Sequence, residues 1–426
     1  MPMRIRRSIA FSTIILGLIY TVAVVVAGTL IVQTLLMARD IPAVQAASTQ
    51  AVLIVTPTPE ATAAPLIILP TPVPPTPLPT ATNLETAPVS YHPKSGRYIA
   101  VWLPPNFSGG ARDSFEANKD IIDDISPFWY STDSSGRLYG TRNDELVRVA
   151  HESNVRVMPS IHNVTSNPET VVSVLRDPQR RARHVQNIVD EVLARNYDGI
   201  DIDYEALDSS LRNDFSAFMR ELAAALHQNG KLLTVAVHAK ASDYGGMGGF
   251  QDWAEIGKAV DQLRIMTYDY HWRGSSPGPV APAYWIQSVT EYARSVVDPA
   301  KVLLGIHFYG YDWPSGGSAT PRPWSIIQGI IDEQGATVNF MESNANGRVE
   351  ESYFSYHSAQ GTRQVWFMTK TGLASKIKTV QDLDLAGIAI WQLGYEKPEY
   401  WETVRQNMIE DPTLIQRAIN PLIPDH

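Results

Sequence analysis

The run Asp198-Gly199-Ile200-Asp201-Ile202-Asp203-Tyr204-Glu205 places four carboxylates within eight residues, three of them at alternate positions. Strand side chains alternate between faces, so Asp201, Asp203 and Glu205 share one face while Ile200, Ile202 and Tyr204 share the other. Successive acids on that face stand about 6.6 Å apart along the strand. Acids buried together in a low-dielectric interior cannot all ionise cheaply, so their titrations couple and at least one proton is retained near neutrality. A retained proton is a general acid, the group that glycosidic-bond cleavage needs to protonate its leaving oxygen. Calcium loops also alternate acids. Here the intervening residues are isoleucines and no glycine follows Glu205, which does not fit such a loop. A purely structural role is also a poor fit, because unpaired buried charge costs several kcal/mol. Asp198 has the opposite parity and reads as support for a helix or turn.

Positioning such a strand takes a larger framework. Apolar, β-branched runs recur at Arg97–Pro104, Asp124–Tyr130, Val155–Asn163, Tyr197–Glu205, Leu232–Ala239, Gln262–Asp269, Val302–Tyr309 and Gly387–Leu393. Continuous apolar runs of this length fit strands covered on both faces. Helix-period segments lie between them, among them Arg180–Arg195 and Ser209–Asn229, stopped by Asn196 and by Asn229-Gly230. Eight strands alternating with helices predict an α/β fold, a (β/α)8 TIM barrel whose site forms at the C-terminal strand ends. The apolar face of the fourth strand then packs on helices and the acids turn into the lumen. The gap between the seventh and eighth strands exceeds what one helix needs. A small inserted α+β lobe is predicted there at about 315–364, with a turn at Asn344-Ala345-Asn346-Gly347.

Composition narrows the function class. The chain has 426 residues, no cysteine and a net charge of −9. Residues 1–94 carry Arg4, Arg6, Arg7, Arg39 and Lys94 against Asp40, Glu60 and Glu85, a net of +2, so the remainder holds −11. So acidic a globular part disfavours nucleic acid, and its ten tryptophans favour a neutral ring-shaped ligand. From Ser8 to Ala38 there are 31 positions without a charge, behind Arg4, Arg6 and Arg7. That length and flank predict a cytoplasmic basic end and a transmembrane signal-anchor over 1–40, although Val44-Gln45-Ala46 also offers a cleavage site. Either way the remainder is expected outside the cytoplasm, membrane-tethered as a single-pass protein or secreted. Residues 57–88 hold ten prolines and predict an extended Pro/Thr-rich linker within 41–94, leaving 95–426 for the barrel.

The acidic run resembles the D-x-x-D-x-D-x-E signature of glycoside hydrolase family 18, the chitinase family, at all four acidic positions. "IMTYDYHW" at 265–272, "GIHFYGYDW" at 305–313 and "GIAIWQLGYE" at 387–396 resemble its sixth, seventh and eighth strands. "MTYDYHWRGSSPGPVAP" and the inserted lobe are similar to the spore-germination glucosaminidases of that family. The third strand departs from it, with "PSIHNVTS" at 159–166 in place of a Ser-x-Gly-Gly element. The resemblance implies substrate-assisted retaining hydrolysis of β-1,4-linked N-acetylglucosamine polymers, peptidoglycan or chitin, through an oxazolinium ion. It makes Glu205 the acid and base, Asp203 the partner of the 2-acetamido group, and Asp201 a sharer of the Asp203 proton. Tyr268 would bond the acetamido oxygen, Asp269 would help position the sugar, and Trp391 would floor the ring. It implies no metal, no cofactor and no obligate protein partner. Trp391 by itself fits core or platform alike, and Tyr309 and Trp313 read as structural.

Two other classes use such a barrel. A metal-dependent amidohydrolase needs a His-x-His pair on the first strand, and "YIAVWLP" has none, so His162, His238, His271 and His307 read as cleft or core residues. A non-catalytic lectin-like member would usually lack the terminal Glu or the Asp before it, and both are present. The N-terminal reading generates a direct expectation. Protease added to intact cells should release a folded fragment by cutting within 48–95. A barrel protected until lysis would contradict that topology.

Overall fold

The structure, a computed structural model, describes residues 93–409 other than 95, 106, 244, 245 and 360. The anchor expected at 1–40 and nearly all of the linker expected at 41–94 lie outside the described residues. Among the described residues no helix is long and apolar enough to cross a membrane. Lys94, placed in the linker by composition, is already docked. Its N–H donates to Asp123 at 2.6 Å and its Nζ to the Lys119 and Ser153 carbonyls.

The eight expected strands are present: β1 Tyr98–Leu103, β2 Asp124–Thr132, β3 Ser160–His162, β4 Gly199–Asp203, β5 Leu232–His238, β6 Gln262–Met266, β7 Val302–His307 and β8 Gly387–Trp391. Each pairs in parallel with the next, and β1 pairs with β8, so the barrel closes. The third position is broken. Arg156–Val157 pairs with β2 ahead of Pro159, whose ring supplies no ladder N–H, and β3 resumes after it. Ile200, Ile202 and Tyr204 are fully buried against the helices, as the alternation requires.

Helix Pro178–Ala194 shows how local sequence aims the acid strand. Asp177 caps it by accepting from Gln179 N and Arg180 N, and Pro178 fills the first helical position. Its apolar stripe, Val185, Ile188, Val189 and Val192, is buried. On the same face His184 accepts from the Tyr204 hydroxyl at 2.6 Å and donates through Nδ1 to the Gly136 carbonyl at 2.8 Å. Burial pushes His184 down to about 4, so the ring is neutral and this tautomer is held. The outer face of β4 is thereby locked while the inner face carries its acids.

The lumen is polar at its base. Arg264 of β6 is fully buried and donates to Asp124 (2.7 Å), Ser126 (2.7 Å) and Gln262 (3.0 and 3.1 Å). Its other terminal nitrogen lies 3.8 Å from Asp201 Oδ1.

The inserted lobe is larger than its expected bounds of 315–364. It begins two residues after β7, as strand Tyr309–Pro314, and ends with Gly361–Phe367. Together with Thr320–Pro323, Gly347–Ser358 and Asn339–Asn344 these form a five-stranded antiparallel sheet. Helix Trp324–Gln334 packs on it through Ile327, Phe354, Val365 and Phe367. The alternation that marks half-buried strands starts at Tyr309, directly after the apolar run of β7, and so is hidden at the join.

Closure depends on backbone contact at Gly387. A Cβ there would lie 1.9 Å from the Tyr98 carbonyl oxygen across the β1–β8 seam. Gly387→Ala should therefore lower stability by about 1–3 kcal/mol or more. By contrast, Gly329 within helix Trp324–Gln334 has open space around its Cβ position, so Gly329→Ala should raise stability by about 0.5–1 kcal/mol. Urea midpoints moving in opposite directions at constant slope would bear this out.

Candidate active site

A cleft of about 530 Å³ opens at the C-terminal ends of the strands. Asp203, Glu205, Tyr268, Asp269 and Trp391 all line it, so five of the six residues singled out from sequence meet there. Asp201 lies below, fully buried in the lumen.

The three acids of the β4 face differ sharply in what surrounds them. Asp201 accepts from Trp102 Nε1 (2.9 Å) and Ser160 Oγ (2.9 Å) on one oxygen and from Thr234 Oγ1 (2.6 Å) on the other. Asp203 is 3% exposed, and its Oδ1 is buried without a hydrogen-bond partner. Burial first, then the charges of Glu205 and Asp201, push Asp203 well above the ordinary carboxylate range. Glu205 stands two residues past the end of β4, half-buried at the cleft wall. Burial, then the Asp269 carboxylate, push it up to about 7. Both shifts favour the protonated form at the mouth of the site, the direction expected for acids stacked on one strand face.

Asn163 sets where Glu205 sits. Its Oδ1 accepts from the Glu205 N–H at 2.7 Å and its Nδ2 donates to the Glu205 carbonyl at 3.0 Å. Behind the carboxylate, His238 Nε2 lies 3.7 Å from Glu205 Oε2 and accepts from the Ala206 N–H at 3.4 Å. Burial pushes His238 down to about 4, so a neutral ring faces the acid.

The opposite wall is aromatic. Tyr268 follows β6 by two residues, and among the hydrogen bonds of the described residues its hydroxyl has no protein partner. Burial, then Asp203 and Glu205, raise that hydroxyl well above its usual range, so it is a neutral donor facing the cleft. Asp269 adopts φ 60°, and its carboxylate accepts from the Tyr309 hydroxyl and, at 3.0 Å, from Tyr311. Burial raises Asp269, and the two tyrosines partly offset this. Trp391 ends β8 with its ring 4.9 Å from Phe128 at 61°, and the peptide to Gln392 is cis.

Several contributors were not foreseen. Tyr309, read as structural, lines the cleft and holds Asp269. Trp313 is buried and donates to the Ser275 carbonyl at 3.0 Å, in keeping with a structural role. Ser160 and Thr234 pair in register with Asp201 on the two neighbouring strands. A small hydroxyl residue inside each strand run was the available signal. Asn163 lies in the very segment where the third strand departs from the family pattern. Asp198 does what its parity implied, accepting from Val157 N at 2.8 Å and bonding His151 at 2.9 Å. His162 stacks on Phe128, His307 is buried and His271 bonds the Ser276 carbonyl.

The Asn163 clamp can be tested without any substrate. Asn163→Ala should free the Glu205 peptide and admit water, so the Glu205 titration followed by carboxyl carbon NMR should fall from about 7 toward the usual carboxylate value. An unchanged titration would show that the clamp is dispensable.

Known proteins share this arrangement. Residues 116–396 match the model of the Glycosyl hydrolases family 18. Bacillus subtilis YdhD, which carries the name of a sporulation-specific glycosylase, is 32% identical over 321 residues, covering 70% of this chain and 75% of that protein. The cortical fragment-lytic enzyme of Bacillus subtilis is 26% identical over 288 residues, covering 65% of this chain and 66% of its own length. The crystal structure of a chitinase from Chromobacterium violaceum superposes with a TM-score of 0.67 at 26% identity, covering 73% of this chain and 98% of that one. With a closed barrel, a paired-acid cleft and a family match over most of the folded residues, the chain belongs to glycosyl hydrolase family 18 and is a glycosidase.

Proposed function

We propose that this glycosidase cleaves β-1,4-linked N-acetylglucosamine polymers, peptidoglycan or chitin, with the sugar's own acetamido group as nucleophile. The observation that carries the reading is the unequal provision of the acids. A two-carboxylate retaining mechanism needs an ionised carboxylate free to attack across from the acid. Asp203 is buried and shifted toward its protonated form, and Asp269 is held by two tyrosine hydroxyls. Neither is a ready nucleophile, so the nucleophile comes with the substrate.

In that mechanism Glu205 protonates the glycosidic oxygen and later takes a proton from water. The unpartnered oxygen of Asp203 accepts the acetamido N–H and steadies the positive charge of the oxazolinium ion. Its proton is shared with Asp201 as that charge develops. Tyr268 donates to the acetamido oxygen, Asp269 positions the sugar, and Trp391 and Phe128 supply an apolar floor. Because Glu205 works as an acid, activity falls as pH rises through about 7. The charge-free N-terminal run supports a location outside the cytoplasm, in reach of a wall polymer, and the name of the Bacillus subtilis cortical fragment-lytic relative favours peptidoglycan.

Glu205→Gln should lower kcat roughly 10²–10⁴-fold while ligand binding survives. Asp203→Asn should also lower kcat. A 4-nitrophenyl leaving group needs little protonation, so it should rescue Glu205→Gln more than Asp203→Asn. Substrates lacking the 2-acetamido group should be inert with the wild type. Comparable cleavage of plain β-glucosides, or a sugar trapped covalently on Asp203 or Glu205, would put a two-carboxylate mechanism in its place. Product analysis on purified peptidoglycan and on chitin oligosaccharides identifies the polymer.

A further inference from the structure

The inserted lobe sends one carboxylate into the barrel's upper rim. Glu351, on strand Gly347–Ser358, is fully buried; its backbone pairs with Met341, but every hydrogen bond of its carboxylate reaches out of its own sheet. Its Oε2 accepts from Val280 N at 2.7 Å. Its Oε1 accepts from Ala281 N at 2.9 Å, His307 Nε2 at 3.2 Å and Lys376 Nζ at 3.2 Å. These partners lie on the loop after β6, the end of β7 and helix Lys370–Asp382. Tyr400 also faces it electrostatically from helix Pro398–Val404.

Local structure is arranged to deliver this side chain. The pairing of Asn339–Asn344 with Gly347–Ser358 shifts register between Met341 and Ser343, and Glu350 takes φ 61°. Bulges of this kind re-aim the following side chain and are common beside active sites. Helix Lys370–Asp382 comes close to the bulge because Gly372 has no side chain. A Cβ there would meet the Glu350 carbonyl at 2.4 Å. Lys376 is thereby brought onto Glu351, each about 1% exposed or less.

Two short paths lead from Glu351 to the cleft. Through the first, Val280 is held by Glu351, and its carbonyl accepts from Tyr270 N at 2.8 Å, next to Asp269. Through the second, His307 bonds Glu351 by Nε2 and the Tyr309 carbonyl by Nδ1 at 2.9 Å. The Tyr309 hydroxyl then donates to Asp269. Both paths meet at Asp269, which lines one cleft with Glu205.

We propose that Glu351 is a positioning residue for the catalytic acid: through Val280 and His307 it fixes the two walls that keep Asp269 beside Glu205. The inserted lobe is then a brace for the acid site as well as a cleft wall. Burial alone would raise Glu351, but Lys376 and His307 more than offset it and hold the carboxyl well below its ordinary range, so the brace stays charged wherever the enzyme works. The proposal rests on Glu205 acting as the acid. The other groups facing that acid are Asp203, His238 and Tyr268.

The test is a cycle between Glu351→Gln and Asp269→Asn, read as kcat and the pH profile of kcat/KM on a 4-nitrophenyl N-acetylglucosamine oligosaccharide. Glu351→Gln alone strands the Lys376 charge, so the cycle is run in Lys376→Met protein, with melting and near-ultraviolet circular dichroism confirming the fold. Glu351→Gln should lower kcat roughly tenfold. It should also move the basic limb to lower pH by about half a unit or more, because a displaced Asp269 charge no longer raises Glu205. With Asp269→Asn already present, Glu351→Gln should add less than about a twofold loss and no further shift of the limb. Losses that multiply, or a limb that stays in place, would overturn the role of Glu351 while leaving Glu205 as the acid. Wild-type activity in Glu205→Gln would overturn both readings.

Discussion

Carboxyl groups withdrawn from water need donors, and this barrel provides them unequally to three acids on one face of β4. Asp201 takes hydrogen bonds from its two neighbouring strands and from β1 across the lumen, and lies 3.8 Å from the Arg264 guanidinium. Asp203, one pleat higher, keeps a buried oxygen with no donor. Glu205, higher again, reaches the rim and meets a neutral histidine. Charge is therefore well supported at the bottom of the stack and poorly supported at the top. The proton resides where the donors are missing, which is where a substrate would lie. Much of the fold serves this gradient. β1 brings the Trp102 indole N–H to Asp201, and helix Pro178–Ala194 grips the back of the strand through His184 and Tyr204.

The far wall works by geometry more than by charge. Asp269 sits in a left-handed backbone conformation, which aspartate tolerates better than most side chains. Two tyrosines from the first strand of the lobe hold its carboxylate, one of them edge-on to Tyr268 at 6.2 Å. The lobe is thus continuous with the cleft, and its buried ion pair lies behind residues that face the sugar site.

Periodicity made the frame readable. The eight strands were legible because a barrel strand covered on both faces must be apolar, and Asp201, Asp203 and Glu205 stood out as exceptions on one face, whereas Tyr268, Asp269 and Trp391 were marked only by the family resemblance. Asn163 left no comparable mark, since an asparagine at a strand end is common and only its distance from Glu205 in space gives it meaning. Glu351 was harder still. It sits beside Glu350 in a strand that otherwise reads as half-exposed, and a bulge decides which of the two turns inward. Tyr309 was misread because its strand abuts β7 and continues the same apolar run. The misses share one cause. Each depends on a contact between residues distant in sequence, which neither spacing nor composition records.

The β1–β8 seam has a consequence for how the molecule comes into being. Arg97 donates to the Leu385 carbonyl across it, a contact between residues 288 positions apart. Contacts of that separation form late, because the chain entropy of closing so long a loop is lost before the pairing compensates. Trp102 and Trp391 lie on the two strands that meet there; both line the cleft, and Trp102 also donates to Asp201. During synthesis the acid strand and all three donors to Asp201 emerge early, yet the cleft lacks its Trp391 wall until the last strand arrives. The chain therefore holds its acids before it holds a complete cleft, and the last wall is added only when the barrel closes.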